Sequence, residues 1–250
     1  MFTNERHQLI KELLEEQNVV KMQDIVQRTG SSESTIRRDL SMLEEAGICV
    51  RVHGGAKRGY KLSSEPEMQT KSQLHIDDKR LIAAKAVSFI EAEEVIFLDA
   101  GSTTFEMIPL LQGLDVLVVT NGVPHASLLA DLKIPSLLVG GKIKWQTKAT
   151  IGPSCIKQLE EYRFSKAFLG MNGVDVSYGF TTPDVEEAAV KKKAIEQSAH
   201  SFVLVDSSKF KEVTFAKVAD VDDCDVISSG LDARMRKNVT EKTTYWEATE

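Results

Sequence analysis

The segment from residue 33 to residue 45 constrains the fold of this chain more than any other part of it. Ile36, Leu40 and Leu43 recur at spacings of four and three residues, so they line one side of a helix. The opposite side carries small hydroxyl groups and two arginines. A Thr-Gly-Ser-Ser turn precedes the segment, and its last residue, Ser32, is a favourable N-cap. The pattern predicts a helix with one face in a core and a polar face in solvent.

The segments on either side of this helix predict the fold to which it belongs. Two shorter helices precede it, the first with Asn4 as the expected cap and the second near residues 22–28. Gly47 is the expected C-terminal cap of the third helix. Residues 48–52 are typical of a strand, and the His-Gly-Gly-Ala run at residues 53–56 is typical of a hairpin tip. Three helices followed by a β-hairpin form the winged helix-turn-helix, a DNA-binding fold.

The polar face has the chemistry of a DNA-reading helix. Arginine can donate two hydrogen bonds to guanine, and hydroxyl groups near the positive end of a helix can contact phosphates. The hairpin tip is placed to approach the sugar-phosphate backbone or the minor groove. Two arginines alone usually mark only a solvated face, so the prediction depends on the turn, the helices and the hairpin together. The predicted DNA-binding residues are Ser32, Ser34, Thr35, Arg37, Arg38, Ser41, Arg51, His53 and Gly54.

The acidic composition does not exclude DNA binding. The net charge is −6, from 31 Lys and Arg and 37 Asp and Glu. The first 60 residues contain nine of each kind, so the remainder carries the whole negative charge. A local basic face can supply phosphate contacts in an acidic protein. We therefore expect modest non-specific affinity for DNA.

Other bulk features point to a cytoplasmic protein without membrane contact. No apolar run approaches the roughly 20 residues needed to cross a bilayer, and the first residues lack the apolar stretch of a signal peptide. The three cysteines lie far apart, which favours reduced thiols in packing positions over a disulfide or a metal site. The five histidines show no metal-ligand spacing, and most of them are expected to be ordinary surface or core residues.

The rest of the chain alternates between helical segments and short apolar runs. Such alternation predicts buried parallel strands in an α/β sheet. The apolar runs are residues 95–99, 116–120, 136–139, 167–169 and 202–206. Residues 58–74 contain Pro66 and no apolar period, which indicates a linker with a short helix near residues 67–73. We therefore expect a winged helix-turn-helix domain at residues 1–57, the linker, and an α/β domain at residues 75–250.

Polar residues concentrate directly after the apolar runs. In open α/β sheets, ligands bind at the carboxyl ends of the strands. The Asp-Ala-Gly-Ser-Thr-Thr segment at residues 99–104 combines a glycine, hydroxyl groups and free N–H groups, which suits a phosphate. Such a turn alone is often only a helix cap, and the other strand-end segments favour the ligand site. The predicted ligand-binding residues are Asp99, Gly101, Ser102, Thr103, Thr104, Thr120, Asn121, Gly140, Gly141, Lys142, Gly179, Thr181, Glu187, Lys191 and Lys209.

Glu187 and Lys191 have two interpretations. They lie four residues apart on a predicted helix, in the order that favours an ion pair. They form either a surface pair on a solvated helix or part of the ligand site. In the second case Glu187 binds sugar hydroxyls, and Lys191 or Lys209 binds a phosphate.

Both halves of the chain resemble the DeoR family of bacterial regulators. In the first half the matching residues are Ser32 to Leu40, Leu43, Gly47, Arg51 and His53 to Ala56. In the second half they are Asp99 to Thr104, Thr120-Asn121, Gly140-Gly141, Gly152-Pro153, Gly179 to Thr182, Glu187 to Lys191 and Asp206 to Lys209. One departure from the family pattern, Asp24-Ile25-Val26 in the second helix, keeps the apolar spacing.

The resemblance implies an α/β sensor domain related in fold to sugar-phosphate isomerases such as ribose-5-phosphate isomerase. It implies a repressor of a sugar-metabolism operon, without catalytic residues, cofactor or metal, that binds operator DNA as a homodimer or homotetramer. A phosphorylated sugar is the implied effector that releases the DNA, and fructose 1-phosphate or another ketose or hexose phosphate is the candidate.

Two other functions stay open at this point. A sugar-phosphate isomerase with an accessory DNA-binding domain would use Glu187 as general base, although a shared fold does not imply a shared activity. An architectural DNA-binding protein without a ligand would not need so many polar strand-end segments.

Overall fold

The computed structural model of the chain describes residues 1–59, 62 and 72–249. These residues form two compact units, Met1–Leu62 and Ser63–Glu250. The division falls inside the predicted linker, most of which, with most of its expected short helix, lies outside the described residues. Each unit has a hydrophobic core of its own.

The first unit is a three-helix domain with a small antiparallel sheet. Its elements are α1 (Thr3–Gln17), β1 (Val19–Lys21), α2 (Met22–Thr29), α3 (Glu33–Glu45), β2 (Cys49–Val52) and β3 (Gly55–Arg58). Ile10, Ile25 and Leu40, one from each helix, are fully buried in its core. The strands pair in the order β1-β3-β2, so β1, which the sequence analysis does not predict, joins the hairpin to the helices. The predicted winged helix-turn-helix is confirmed.

Two predicted helix ends are wrong by one or two residues. Asn4 lies inside α1, whose N-cap is Phe2. The Glu5 carboxylate accepts a hydrogen bond from the Phe2 N–H at 2.8 Å, so a side chain of the first turn satisfies this end. Helix α3 has Ala46 as its C-cap. Gly47 follows with a φ of 72°, a left-handed conformation that glycine adopts without strain.

The second unit is built on a seven-stranded parallel sheet among its described residues. Its elements in chain order are α4 (Ile76–Val87), β4 (Glu94–Leu98), α5 (Ser102–Phe105), β5 (Val116–Thr120), α6 (Val123–Asp131), β6 (Ser136–Leu138), β7 (Lys142–Lys144), β8 (Ala149–Ile151), α7 (Pro153–Glu160), β9 (Phe164–Gly170), β10 (Gly173–Asp175), β11 (Gly179–Thr182), α8 (Val185–Glu196), β12 (Ser198–Leu204), β13 (Ala216–Ala219), β14 (Asp225–Ser228), α9 (Ala233–Thr240) and β15 (Tyr245–Glu247).

The order of the strands creates a switch point in the sheet. The order is β15-β14-β12-β9-β4-β5-β6, with every neighbouring pair parallel. From β4 the chain first adds β5 and β6 on one side, and it then crosses to β9 on the other side of β4. In such sheets a crevice opens at the carboxyl ends of the two strands where the order reverses. A ligand site is therefore expected between the ends of β4 and β9.

Both faces of this sheet are covered. Phe97 of β4 belongs to one hydrophobic cluster, whereas Ile96 and Leu98 belong to the other. This alternation is that of a strand buried on both sides. Val190 of α8 lies in the first cluster and Ile82 of α4 in the second, so the two helices cover opposite faces. The predicted α/β class is confirmed.

The five predicted strands are present as β4, β5, β6, β9 and β12, but one differs in burial. Leu137 and Leu138 of β6 are 44% and 45% exposed. The strand lies at the edge of the sheet, where one flank has no neighbouring strand among the described residues. The expectation of a buried strand is wrong there.

Two further features escape the sequence analysis. Residues 179–182, predicted as a strand-end turn, form β11, which pairs with both β10 and β13 in a separate antiparallel sheet, so that prediction is wrong. Strand β15, in a region with no predicted role, extends the main sheet beyond β14. Trp246 of β15 packs against Phe89 with ring centroids 4.8 Å apart and donates a hydrogen bond to Asp225 at 2.9 Å. Among the described residues, no helix is both long and apolar enough to cross a bilayer.

Candidate functional site

Ser32 organises the first turn of α3. Its Oγ accepts a hydrogen bond from the Thr35 N–H at 3.3 Å and lies 3.0 Å from Ser34 Oγ and 2.9 Å from Thr35 Oγ1. Three predicted DNA-binding residues therefore form one cluster of hydroxyl groups at the positive end of the helix. Ser32 and Ser34 are exposed, so the cluster faces solvent.

The two arginines of α3 differ in their availability. Arg37 donates to the carboxylate of Glu33, one turn earlier, at 2.6 Å, and both side chains are largely exposed. Arg38 is exposed, and in the part of the chain that the structure describes its guanidinium has no hydrogen-bond or ion-pair partner. Arg38 can therefore bind a base edge or a phosphate without first giving up a contact, whereas Arg37 must leave Glu33.

The hairpin is attached to α3 through Arg51. Its Nη1 donates to Ser41 Oγ at 2.8 Å, and its backbone N–H donates to Glu44 Oε1 at 2.7 Å. The predicted DNA contacts Ser41 and Arg51 are thus engaged with each other and orient the hairpin against the helix. His53 and Gly54 at the tip are exposed, and Gly54 takes the left-handed conformation that the turn requires, with a φ of 83°.

A buried ion cluster that the sequence analysis misses joins α1 to α3. Asp39 is buried and accepts hydrogen bonds from Arg6 Nε at 2.7 Å and Nη2 at 3.1 Å, and it lies 3.1 Å from His7 Nε2. Burial alone raises the pKa of Asp39, but the contacts with Arg6 and His7 outweigh it and hold that pKa below its usual value. Asp39 lies three residues after Ile36, on the core side of α3. A carboxylate in that position needs a partner, and this is the signal that could have found the cluster.

In the second unit, Asp99 and Lys191 meet at the switch point. Lys191 Nζ of α8 forms an ion pair with Asp99 Oδ2 after β4, and it donates to the Gly170 carbonyl of β9 at 3.0 Å. The Gly170 N–H donates to the same carboxylate at 3.1 Å. Both charged side chains are at least nine-tenths buried. The pair therefore links the carboxyl ends of β4 and β9 at the expected crevice.

The segment after β5 is tied to this position by Asn121. Its Oδ1 accepts a hydrogen bond from the Ala100 N–H at 3.1 Å, and its Nδ2 donates to the Thr150 carbonyl at 3.1 Å. Thr120 is fully buried, and its hydroxyl accepts from the Gly122 N–H at 3.1 Å. Asn121 thus links the segment after β4 to β8, and Thr120 shapes the turn that follows β5.

The segment after β4 offers two uncommitted hydroxyl groups. Thr104 is fully buried, donates to the Asp99 carbonyl at 2.5 Å and accepts from the Gly101 N–H at 3.1 Å, so it shapes the loop. The hydroxyls of Ser102 and Thr103 have no hydrogen-bond partner among the residues that the structure describes. The first N–H groups of α5 likewise lack intrahelical partners. These hydroxyl and N–H groups can donate hydrogen bonds to an anion.

The ion pair predicted between Glu187 and Lys191 is not formed. Glu187 is buried, accepts a hydrogen bond from Thr147 Oγ1 at 2.5 Å and pairs with Lys144 Nζ at 3.2 Å. Lys144 also lies 3.2 Å from Asp184. Burial raises the pKa of Asp184, but the Glu187 N–H and Lys144 outweigh it and hold that pKa below its usual value. Glu187 therefore contacts the β7–β8 hairpin, and the surface-pair interpretation is wrong.

Three predicted ligand-binding residues lie at the start of this hairpin. Gly140 and Gly141 connect β6 to β7, and the Gly140 N–H donates to Gln158 Oε1 at 3.1 Å. Lys142 is exposed and pairs with Glu186 at 3.0 Å. The hairpin is thus attached to the first turn of α8, which also carries Glu187.

The last three predicted ligand-binding residues have other contacts, and the Thr181 carbonyl accepts from the N–H of Asn172, two residues after β9, at 3.1 Å. Gly179 and Thr181 belong to β11, and the Thr181 hydroxyl accepts from the Thr214 N–H at 3.0 Å. Lys209 donates to Ser208 Oγ at 3.1 Å. Among the described contacts, none connects these three residues to Asp99 or Lys191.

His125, which the sequence analysis treats as ordinary, lies beneath the loop after β4. It is fully buried on α6, and its Nε2 is 3.1 Å from the Gly101 carbonyl oxygen and 3.2 Å from Thr104 Oγ1. Burial lowers its pKa to about 4, so the ring is neutral at neutral pH. No spacing rule reveals this contact, because it depends on how α6 packs under the loop.

The three cysteines occupy packing positions. Cys49, Cys155 and Cys224 are buried and free, and burial raises their thiol pKa values to about 11, about 11 and about 12. Within the described residues no group of three or more His, Cys, Asp or Glu is arranged to hold a metal ion.

Comparison with known families decides the classification. The DeoR-like helix-turn-helix domain matches residues 6–60, and the DeoR C-terminal sensor domain matches residues 74–230. The chain belongs to the DeoR family. As a DeoR-family member it is a helix-turn-helix regulator of transcription, and its second unit is the sensor domain.

Relatives of this DeoR-family regulator are similar along almost its whole length. It is 46% identical over 244 residues to the uncharacterized HTH-type transcriptional regulator FruR of Bacillus subtilis (strain 168), with 97% of each chain covered. It is 34% identical to the putative aga operon transcriptional repressor of Escherichia coli O157:H7, over 90% of this chain and 85% of that protein. It is 32% identical to the lactose phosphotransferase system repressor of Staphylococcus epidermidis, over 85% of this chain and 86% of that protein.

Solved structures similar to the chain include ribose 5-phosphate isomerase A of Methanocaldococcus jannaschii. The TM-score is 0.42 and the sequence identity 22%, over 54% of each chain. These values are low, and the classification rests on the two family matches.

Proposed function

We propose that this DeoR-family regulator represses a sugar-metabolism operon and releases its operator DNA when a phosphorylated sugar binds the sensor domain. The observation that carries the proposal is the Asp99–Lys191 pair at the switch point, next to the uncommitted hydroxyls of Ser102 and Thr103. Relatives described as repressors of the aga operon and of the lactose phosphotransferase system support repression of a sugar operon.

In the proposed complex the phosphate binds at the loop after β4. The hydroxyls and N–H groups of Ser102 and Thr103 donate hydrogen bonds to its oxygens, and Lys191 supplies a positive charge nearby. The sugar hydroxyls then face Asn121 and Glu187, whose side-chain oxygens can each accept a second hydrogen bond beside the contacts they already make. Because Lys191 already pairs with Asp99, a phosphate competes with that carboxylate for the same ammonium group. The effector therefore changes the contact between α8 and the end of β4.

The change reaches the DNA through the oligomer. A homodimer or homotetramer presents its α3 helices in pairs to the two halves of an operator. Its affinity for that operator therefore depends on the distance between the paired helices. The effector favours a state in which that spacing no longer fits the operator. A coupling free energy of about 1–3 kcal/mol is usual for such linkage. It corresponds to a loss of operator affinity of roughly 5- to 150-fold.

An isomerase would need Glu187 as its general base. The structure commits both oxygens of this carboxylate, one to Thr147 and the other to Lys144. The relatives that are similar in sequence along almost the whole chain are regulators of transcription. An assay with a panel of sugar phosphates tests this alternative. Turnover by the wild-type chain that the Glu187→Gln variant lacks would favour the enzyme and contradict the proposal.

The first test of the sensor is a thermal-shift screen of the full chain. Fructose 1-phosphate and other ketose and hexose phosphates are compared with the corresponding free sugars. A ligand that binds the native state raises the melting temperature, so one sugar phosphate is expected to do so while its free sugar does not. A screen in which no sugar phosphate shifts the transition would overturn the sensor half of the proposal.

A matched pair of variants places the site. The double variant Ser102→Ala/Thr103→Val removes both hydroxyls with little change in shape, and it is expected to lose the shift while retaining operator binding. Ser127→Ala removes an exposed hydroxyl from α6 and is the control, with an unchanged shift. Equal shifts in both variants would exclude the loop after β4 as the phosphate site.

The second half of the proposal is tested on DNA. Operator sequences are first selected from a random pool with the effector-free chain, and affinity is then measured with and without the active sugar phosphate. Release predicts a weaker affinity with the effector. An unchanged or stronger affinity would refute release of the operator by the effector.

A further inference from the structure

His125 connects the two strand-end segments that flank the switch point. The ring belongs to the first turn of α6, directly after the segment that follows β5. Its Nε2 lies 3.1 Å from the Gly101 carbonyl oxygen and 3.2 Å from Thr104 Oγ1, and both of these belong to the segment that follows β4. The imidazole therefore connects the segment after β4 with the segment after β5. Along the chain these two segments are separated by residues 105–120.

The contacts define which nitrogen carries the proton. The Gly101 carbonyl can only accept a hydrogen bond, so Nε2 is the N–H donor and Nδ1 has the lone pair. Nδ1 is buried and has no hydrogen-bond partner among the residues that the structure describes. A Cβ atom at Gly122 would lie 2.4 Å from Nδ1, so only a glycine leaves room for the ring in this position. The Phe105 ring meets the imidazole edge-on, with centroids 5.2 Å apart.

The unpaired nitrogen shows what the imidazole contributes. Burying an acceptor without a partner costs the free energy of its lost hydration, and an apolar ring would fill the same space without that cost. What the histidine adds is the hydrogen bond from Nε2 to Gly101. Gly101 directly precedes Ser102 and Thr103, so a bond that fixes its carbonyl also fixes the direction of the two hydroxyls.

We infer that His125 is a positioning residue of the effector site, whose Nε2–H holds the Gly101–Thr104 loop in the arrangement that receives the phosphate. The role in effector binding rests on the proposed function, whereas the fixation of the loop does not. His125 does not itself contact the effector, because its ring is enclosed beneath the loop.

Three substitutions separate the donor from the volume of the ring. His125→Gln places an amide N–H near the position of Nε2, His125→Asn places it near Nδ1, and His125→Phe keeps a ring without a donor. Amide hydrogen exchange of residues 99–104 is measured in the effector-free full chain. We expect about tenfold faster exchange in the Asn and Phe variants, the factor for a free-energy loss of about 1.4 kcal/mol, and exchange close to wild type in the Gln variant. Strand β14, remote from the loop in the sheet order, is the internal control.

Wild-type exchange in the Asn variant would overturn the inference, and so would equal acceleration in the Gln and Asn variants. The contrast between these two variants remains informative if His125→Phe does not fold, because both retain a polar amide of similar size.

The second measurement is the affinity for the sugar phosphate that shifts the wild-type chain, with fructose 1-phosphate as the first probe. We expect about tenfold weaker binding in the Asn variant and near-normal binding in the Gln variant. Equal affinity in the wild-type and Asn chains would overturn the positioning role. A wild-type chain that binds no sugar phosphate would overturn the proposed function, whereas the exchange measurement would still decide whether His125 fixes the loop.

Discussion

The two candidate sites of this regulator differ in whether their charged side chains are exposed or buried. On α3, Arg38 is exposed and Arg37 has a partner in solvent. In the sensor, Asp99 and Lys191 are buried and paired with each other. DNA brings its phosphates to a surface, where an exposed cation is sufficient. A small effector must be enclosed, so the charges that receive it have to be arranged in advance. Charged side chains should therefore contribute little to the free energy of unfolding on α3 and much in the sensor.

The sharpest test of this contrast removes one charge from each region. Asp99→Ala leaves the buried Lys191 without its partner, and the free energy of unfolding of the sensor should fall by about 3–5 kcal/mol. Arg37→Ala breaks the exposed pair with Glu33 and should change stability by about 0.5 kcal/mol or less. Urea unfolding followed by tryptophan fluorescence measures the first effect, because both tryptophans, Trp145 and Trp246, lie in the second unit. Circular dichroism of the same samples reports on both units, so a transition that it shows and fluorescence does not is assigned to the first unit.

The double variant Asp99→Ala/Lys191→Met is the control for lost charge. It removes both members of the pair and should recover part of the stability that Asp99→Ala loses. A loss below about 1 kcal/mol in the Asp99→Ala chain would show that water reaches the pair and would remove the contrast between the regions.

The pH dependence of stability should also differ between the units. Burial lowers the pKa of His125 to about 4 from its unperturbed value of 6.5. Between these values the unfolded sensor binds more protons than the folded one, so stability is full above about pH 6.5 and falls as the pH drops towards 4. The expected loss is roughly 3 kcal/mol. Urea unfolding at a series of pH values measures it, and the slope should disappear in His125→Phe. A slope that persists in this variant would assign the effect to other groups.

Removing the available arginine should affect DNA binding and leave folding unchanged. Arg38→Ala should weaken operator binding by about 1–3 kcal/mol and relax specificity at one base pair. Arg37→Ala should cost less, because Arg37 must leave Glu33 before it can bind DNA. Affinities of both variants are compared at one fixed salt concentration. If Arg38→Ala binds as tightly as wild type, the placement of α3 in the major groove is wrong.

The smallest expected effect separates a structural from a binding role at one residue. Ser32→Ala removes the cap of α3 and should lower the stability of the first unit by about 1 kcal/mol. Ser32→Asp keeps a good cap, so it should preserve stability, but it places a negative charge where a DNA phosphate would lie. Thermal unfolding and operator affinity are measured for both. Operator affinity in Ser32→Asp equal to wild type would show that the hydroxyl cluster does not face DNA.

Local pattern is sufficient for much of this molecule. The stripe of Ile36, Leu40 and Leu43 predicts α3, because neighbours along a helix are three or four residues apart and need no other part of the chain. The apolar runs likewise predict β4, β5, β9 and β12, since a strand buried on both faces is apolar whatever its neighbours are. The cap Ser32 and the loop beginning at Asp99 follow from the same local rules.

Contacts between distant segments could not be predicted in this way. Lys191 is within reach of Glu187 on its own helix, yet it pairs with Asp99 because β9 lies beside β4 and α8, in the connection from β9 to β12, reaches that strand end. The exposure of Leu137 depends on the place of β6 at the edge of the sheet. His125 depends on the packing of α6 under another loop. Each of these follows from the strand order, which no single segment encodes.

The strand order also has a consequence for the synthesis of the protein. Strand β4 pairs on one side with β5, its immediate successor, and on the other with β9, where Ile96 lies opposite Lys166. While the ribosome is translating the residues between them, β4 can pair with β5 but has an open apolar edge. Such an open apolar edge is a template for aggregation until β9 has been made. Lys191 of the candidate site is made later still, so on the proposed function a growing chain acquires its response to sugar phosphate only after this residue has been made.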